Sequence, residues 1–385
     1  MDVRVSTNWQ SDPEGRVRNI SLAANPKNAL FPLFEAVMNS IHAIEERFGK
    51  DSISKGIIEV EVLRHEETCI GFIVRDNGIG FTPANLSSLR TMDSRVKRAI
   101  GGKGVGRLLW LKVVDQVSIE STYAMKDGFE KLSFTFCLTD PISEFSQISA
   151  PLGEEVGTVV NLHPYHDAYS REIPKKLSTI ANRILAHFIS YFVNINHPKI
   201  RVMDSVDTID LLDQFAESIE RDKDFTVQVP LGGDSHSFTV HCFLLPKSIS
   251  DDEKSTNALY LGANGRAVRR LDMDNVIGMK AIDGKFAFLG YVESEFLDSS
   301  ANETRTDFSI SEEDAEIVID TAKEKVKDFL DPEIGKIRGK QRRVVQELRI
   351  EHPRFLSVAR NPEEVAKALH LSTQGKEEIF VELSR

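Results

Sequence analysis

Apolar residues at Leu30, Phe34, Val37, Ile41 and Ile44 recur three or four positions apart, the spacing that lines one face of a helix. This predicts a first helix within Ser21 to Phe48, entered from the loop signal Asn25-Pro26. Ile57 to Leu63 and Cys69 to Val74 are rich in β-branched residues and flank the polar His65-Glu66-Glu67-Thr68, so they predict a hairpin. Phe81 to Lys103 is polar and basic without a sustained period, and Gly104 to Val114 resumes as an apolar helix. Three further strands are expected at Val117 to Tyr123, Lys131 to Leu138 and Gly157 to Leu162, then a helix at Leu177 to Phe192. One mixed α/β layer closes there, and residues 1–196 are expected to be the first domain.

A second unit is expected over 197–330, after Asn196-His197-Pro198. Its elements are a helix at Thr208 to Ile219, a hairpin of Phe225 to Val229 with Ser237 to Leu245 around Gly232-Gly233-Asp234, and strands at Ala258 to Gly262 and Phe286 to Val292. Ser311 with Asp314 reads as a capping box opening a helix that runs to about Leu330. Residues 331–385 form a helical, locally basic C-terminal segment.

Composition limits the function classes. Of 385 residues, 41% are hydrophobic and 28% charged, which excludes disorder or a fibrous repeat as the main organisation. Forty-eight Lys and Arg against fifty-nine Asp and Glu give a net charge of −11, so a globally basic surface for a polyanion is absent. The concentrated basic stretch Lys336 to Arg349 is the candidate contact for nucleic acid, and it reads first as a solvated helix face. The N-terminus has no signal pattern, and the apolar run at Leu108 to Val114 is interrupted by Lys112 and too short for a bilayer. The expectation is a cytoplasmic chain without a membrane segment. Cys69, Cys137 and Cys242 are widely spaced among apolar neighbours and read as reduced thiols. His163-Pro164-Tyr165-His166 reads as loop, since no cysteine or carboxylate cluster accompanies it.

Three motifs carry candidate chemistry. Glu35 and Asn39 lie four apart on the first helix and share a face. A carboxylate there can deprotonate a water, and an amide oxygen one turn away can ligate Mg²⁺, which prefers oxygen donors, although taken alone the pair reads first as the solvated polar face of an amphipathic helix. Asp76-Asn77-Gly78-Ile79-Gly80 ends a strand. Asp76 can accept from an exocyclic amine while Gly78 and Gly80 let the backbone approach a flat ring, although Asp-Asn-Gly is also an ordinary turn. Gly101-Gly102-Lys103-Gly104-Val105-Gly106 enters the helix near Arg107 and would expose backbone amides as a phosphate cradle or serve as a lid hinge. Gly157-Thr158 adds a hydroxyl that can support Asp76 or a water near it, although threonine is also an ordinary strand residue.

In this order and spacing the motifs resemble those of the GHKL ATPases, the group of gyrase B, heat-shock chaperones, histidine kinases and MutL. The resemblance covers about the first half of the chain and implies a Bergerat-type ATP site in an α/β sandwich with a mixed, mostly antiparallel sheet. It assigns Glu35 as general base, Asn39 to Mg²⁺, Asp76 to adenine, Gly78 and Gly80 to the adenine pocket, Gly102, Gly104, Val105 and Gly106 to the phosphates, and Thr158 to the last box. Ser94, Lys97 and Lys103 in the lid are plausible phosphate contacts. His42 departs from the pattern, since many members carry Asp before the box-ending Ala43.

The second half narrows the resemblance. Tyr260 to Val268, containing Asn264-Gly265-Arg266, resembles the strand-turn-strand of a transducer domain, and Asn302-Glu303-Thr304-Arg305 resembles the chaperone loop that sends an arginine to the γ-phosphate. By that likeness Arg305 is a catalytic sensor, and its plainer role is a surface salt bridge to Glu303 or Asp307. A smaller α/β transducer domain and a helical tail would follow the ATP domain. The implied activity is Mg-dependent ATP hydrolysis that drives lid closure, ATP-dependent homodimerisation and a clamp or chaperone-like cycle on a protein or nucleic-acid partner. The alternatives are a non-hydrolysing, nucleotide-gated interaction module and a protein histidine kinase. A kinase places its ATP domain last, after a phospho-acceptor helix, and here the ATP motifs come first.

Overall fold

Helix α1 forms at Phe31–Phe48, ten residues later than the widest sequence expectation, after a single 3-10 turn at Asn28–Leu30. Its entry is set by Asn25, whose Oδ1 accepts from the Lys27 and Asn28 amides at 3.1 and 2.9 Å. It buries Leu33, Phe34, Val37, Ile41 and Ile44, and ends at Gly49, where φ is +73°. The computed structural model describes residues 17, 19, 21–90, 106–138, 142–151, 153–192, 197–249, 256–263, 266–301, 308–357 and 359–384. Those residues fall into two units, 1–184 with 195–214 and 185–194 with 215–385.

The first unit is an eight-stranded sheet with helices against it. Its strands are β1 (Ile57–His65), β2 (Thr68–Asp76), β3 (Gln116–Met125), β4 (Gly128–Cys137), β5 (Ser143–Ala150), β6 (Gly157–Leu162), β7 (Lys199–Met203) and β8 (Thr208–Asp210), in the order β5-β4-β3-β6-β2-β1-β7-β8. All neighbours are antiparallel except β1 and β7, which run parallel. The fold is therefore α/β with a mixed, mostly antiparallel sheet. Helix α1 packs on β1, β2 and β6. Short α2 (Pro83–Arg90) occupies the start of the stretch in which no helical period is evident, and α3 (Gly106–Val113) packs beside α1.

The parallel pairing of β1 with β7 moves the domain boundary. The sequence places it at residue 196, yet Ile200 and Val202 are buried opposite Ile58 and Val60, so the strand after Pro198 completes the first sheet. The division falls at 214/215 instead. The helix expected at Thr208 to Ile219 is the edge strand β8 followed by a helix at Leu211–Ser218, and that expected at Leu177 to Phe192 breaks into Leu177–His187 and Ile189–Phe192.

The second unit holds a five-stranded sheet, β12-β11-β13-β10-β9, made of β9 (Arg221–Leu231), β10 (Asp234–Pro246), β11 (Ala258–Ala263), β12 (Arg266–Asp272) and β13 (Phe286–Glu293). The helix Glu312–Phe329 covers one face, burying Val318, Ala322 and Val326 against Phe238, Val240, Leu259 and Phe288. It opens as predicted, with Ser311 Oγ accepting from the Asp314 amide at 3.0 Å. The described residues from 331 onward are mainly helical, at Asp331–Glu351, Pro362–Ala368 and Lys376–Ser384, and belong to this unit. They carry a small core of Val345, Leu348, Phe355, Ile379 and Leu383. None of the three cysteines forms a disulfide, and burial pushes the thiols of Cys69 and Cys242 up to about 11 and 12. No helix among the described residues is long and apolar enough to cross a membrane.

Candidate functional site

The site is built where α1 crosses the end of β2. On α1, Asn39 Nδ2 donates to Glu35 Oε1 at 3.4 Å, so the pair shares one face as the four-residue spacing requires. With its NH₂ turned to Glu35, Asn39 leaves the amide oxygen as the atom suited to a hard cation. The next residue, Ser40, is buried on the apolar stripe, and its hydroxyl donates to Asp76 Oδ2 at 2.8 Å. Sequence reasoning passed over Ser40. Its signal was a hydroxyl at a position that helical period assigns to the core, which demands a buried polar partner.

The Asp76 carboxylate is held by two donors. The Gly78 amide donates to Oδ1 at 2.8 Å and the Ser40 hydroxyl to Oδ2. Burial nevertheless pushes the Asp76 carboxyl up to about 6, because desolvation outweighs these donors and the more distant charge of Arg47. The loop beyond it is pinned from two sides. The Ile79 amide donates to Ala43 O at 3.0 Å, and Asn77 accepts from the Ile57 amide at 2.8 Å and donates to Lys55 O at 3.1 Å. Arg47 ties the same loop to the residue just ahead of β6, donating to Asn77 O at 2.6 Å and Val156 O at 2.9 Å.

Two glycines here are required by space, and Gly80 by backbone angle as well. A Cβ at Gly78 would lie 2.5 Å from the Ala43 side chain, and Gly80, at φ +80°, would place one 2.4 Å from Thr122 O. Gly157 comes nearer still, 2.0 Å from Asp76 O. Turn and site are therefore one object: Asn77 shapes the turn while Asp76 turns its carboxylate to α1.

Thr158 stands opposite Asp76 on β6 and opposite Ser121 on β3. Ser121, absent from the sequence-based set, is 3% exposed and joins three segments. It accepts from the Phe81 amide at 2.8 Å, donates to Gly157 O at 2.9 Å, and meets Thr158 Oγ1 at 3.1 Å. A strand serine carries no local motif, and only the pairing of β3 with β6 reveals it.

The structure thus brings together Glu35, Asn39, Asp76, Gly78, Gly80 and Thr158, and starts α3 at Gly106. Ser94, Lys97, Gly102, Lys103, Gly104 and Val105 lie outside the described residues, as do Asn264, Gly265 and Arg305. Ala301 and Phe308 form an isolated bridge at the two ends of 302–307. Chemically, the assembled part offers a carboxylate beside an amide oxygen, and a second carboxylate flanked by glycine backbone that can accept from a donor.

No protein-family model matches the chain, and no curated protein matches it in sequence. Among solved structures, the crystal structure of the N-terminal domain of a DNA repair protein is similar at a TM-score of 0.49 and 14% identity, covering 83% of this chain and 97% of that one.

Proposed function

We propose that this chain is a GHKL-type ATPase whose first unit binds ATP with Mg²⁺ and hydrolyses it to switch conformation. One observation carries the reading. Glu35, Asn39 and the Ser40 that anchors Asp76 lie within six consecutive residues of one helix, so the would-be base, metal ligand and base-recognising carboxylate are a single rigid constellation. In it Asp76 accepts from the adenine amine, Gly78 and Gly80 let the ring approach backbone, and Glu35 takes the proton of the attacking water. Asn39 Oδ1 would hold the metal ion, which supplies charge neutralisation of the phosphates. Gly106 and the residues before it would close over the phosphates, and Arg305 of the second unit would neutralise charge on the γ-phosphate. ATP-dependent homodimerisation, a protein or nucleic-acid partner and a cytoplasmic location belong to this proposal.

The test is binding and hydrolysis of ATP by wild type, Glu35→Ala and Arg305→Ala, each with its sedimentation mass with and without a non-hydrolysable analogue. Glu35→Ala is expected to keep binding and lose turnover by roughly 10²- to 10⁴-fold, and Arg305→Ala to weaken analogue-driven dimerisation. A wild type that binds ATP and never turns it over would be a nucleotide-gated interaction module, and one that binds no nucleotide would remove the reading.

A further inference from the structure

Ser121, Thr158 and Asp76 are successive partners across β3, β6 and β2, one row running beneath α1. The protons in that row can be counted. A serine hydroxyl has one hydrogen and two lone pairs. Ser121 spends one lone pair on the Phe81 amide and its hydrogen on Gly157 O, a carbonyl that can only accept. The single lone pair left faces Thr158 Oγ1 at 3.1 Å, so Thr158 must be the donor in that contact. Its hydroxyl hydrogen is then committed, and Thr158 Oγ1 is left with lone pairs only.

The same count applies to Asp76. An ionised carboxylate has about four acceptor positions, and the Gly78 amide and the Ser40 hydroxyl fill two of them. Acceptor positions remain for a ligand. Asp76 and Thr158 therefore present acceptors without a spare donor, and the residue that imposes this on Thr158 makes no contact with the ligand itself.

We infer that Ser121 is a specificity-determining positioning residue: by fixing the Thr158 hydroxyl as an acceptor, it makes the site select a 6-amino purine and reject a 6-oxo purine. The inference rests on the ATP reading of this site. An amino group brings two N–H donors to two acceptors. An oxo group at the same place sets its own lone pairs against theirs, which buried polar groups resist strongly. Without Ser121, the Thr158 hydroxyl is free to rotate and donate to an oxo group, and the rejection weakens.

The experiment is the equilibrium affinity of ATP and of inosine triphosphate, which differs from it in carrying the 6-oxo group and a proton on N1. Both are measured with Mg²⁺ on the full chain as wild type, Ser121→Ala, Thr158→Val and the double variant. Wild type is expected to prefer ATP by roughly 100-fold, and either single variant to bring the ratio to roughly 10-fold or below. The double variant should lose no more than either single one, because both remove the same oriented bond. A change of packing alone would lower both affinities and leave their ratio in place. Where Ser121→Ala fails to fold, as near-ultraviolet circular dichroism would show, Thr158→Val decides. An unchanged ratio in a folded variant overturns the inference while leaving the ATP reading intact. Equal binding of both nucleotides by wild type also overturns it, and binding of neither overturns the ATP reading together with it.

Discussion

Ser40 on α1 donates its hydroxyl to Asp76 Oδ2 at 2.8 Å across 36 residues of chain, joining the helix that bears Glu35 and Asn39 to the strand end that bears the buried carboxylate. Ser40→Ala strips a donor from a group that burial already disfavours in its charged form. The expected cost is about 1–3 kcal/mol of stability near neutral pH, with ATP affinity lowered in the same variant. Urea denaturation and a binding isotherm check both. A loss under about 0.5 kcal/mol would place the bond among the weak surface ones.

The Asp76 carboxyl titrates in the folded chain at about 6, above its usual 3.8. A raised folded value means that the folded state holds this proton more tightly than the unfolded chain. The associated stability is complete below about pH 4 and is lost as pH rises to about 6. Asp76→Asn removes the titration, so wild-type stability measured relative to it is expected to fall over that window, by about 2–3 kcal/mol, and to be flat above it. Ligand binding runs the other way. An amine donor needs the ionised carboxylate, so wild-type ATP affinity should drop roughly tenfold per pH unit below the folded value, and Asp76→Asn should lack this dependence.

Gly157 and Gly335 make opposite predictions for one substitution. A Cβ at Gly157 would sit 2.0 Å from Asp76 O, a backbone atom that cannot yield without parting β2 from β6. Gly157→Ala is expected to destabilise by more than about 2 kcal/mol and to weaken nucleotide binding. Gly335 lies inside the helix Asp331–Glu351 with nothing within 4 Å of an added Cβ, so Gly335→Ala should stabilise by about 0.5–1 kcal/mol. Thermal melts of the two variants suffice.

Gln341 is fully buried and buttons the C-terminal helices together. Its Nε2 donates to His370 O at 2.8 Å and Thr373 O at 2.9 Å, and its Oε1 accepts from Arg338 at 2.9 Å. Gln341→Leu keeps much of the volume and takes the Gln341 donor from Thr373 O, while His370 O keeps the Thr373 amide at 3.0 Å; the expected cost is about 1–3 kcal/mol. Hydrogen exchange is expected to quicken in Pro362–Ala368 and Lys376–Ser384 while the first unit's sheet keeps its protection.

Much of the molecule was written in local pattern. The apolar stripe of α1, the Ile57 and Cys69 strands, and the Ser311 cap are legible because each depends on residues within a turn or two of one another. The same holds for Glu35 with Asn39 and for the Asp76 loop, where helix spacing and glycine content are properties of a short segment. β5 escaped this reading because it is an edge strand, exposed along most of both faces, so nothing in its sequence had to alternate.

Tertiary structure alone decided which distant segments meet. That Lys199–Met203 returns in parallel to β1 follows from the burial of Ile200 and Val202 opposite Ile58 and Val60, a pairing no local rule encodes. Ser40 and Ser121 are ordinary serines until strand register sets one against Asp76 and the other against Thr158. Periodicity along a chain records which face of each element is buried. Hydrogen-bond partners, and with them the raised Asp76 carboxyl and the direction of the Thr158 proton, arise only when those faces are brought together.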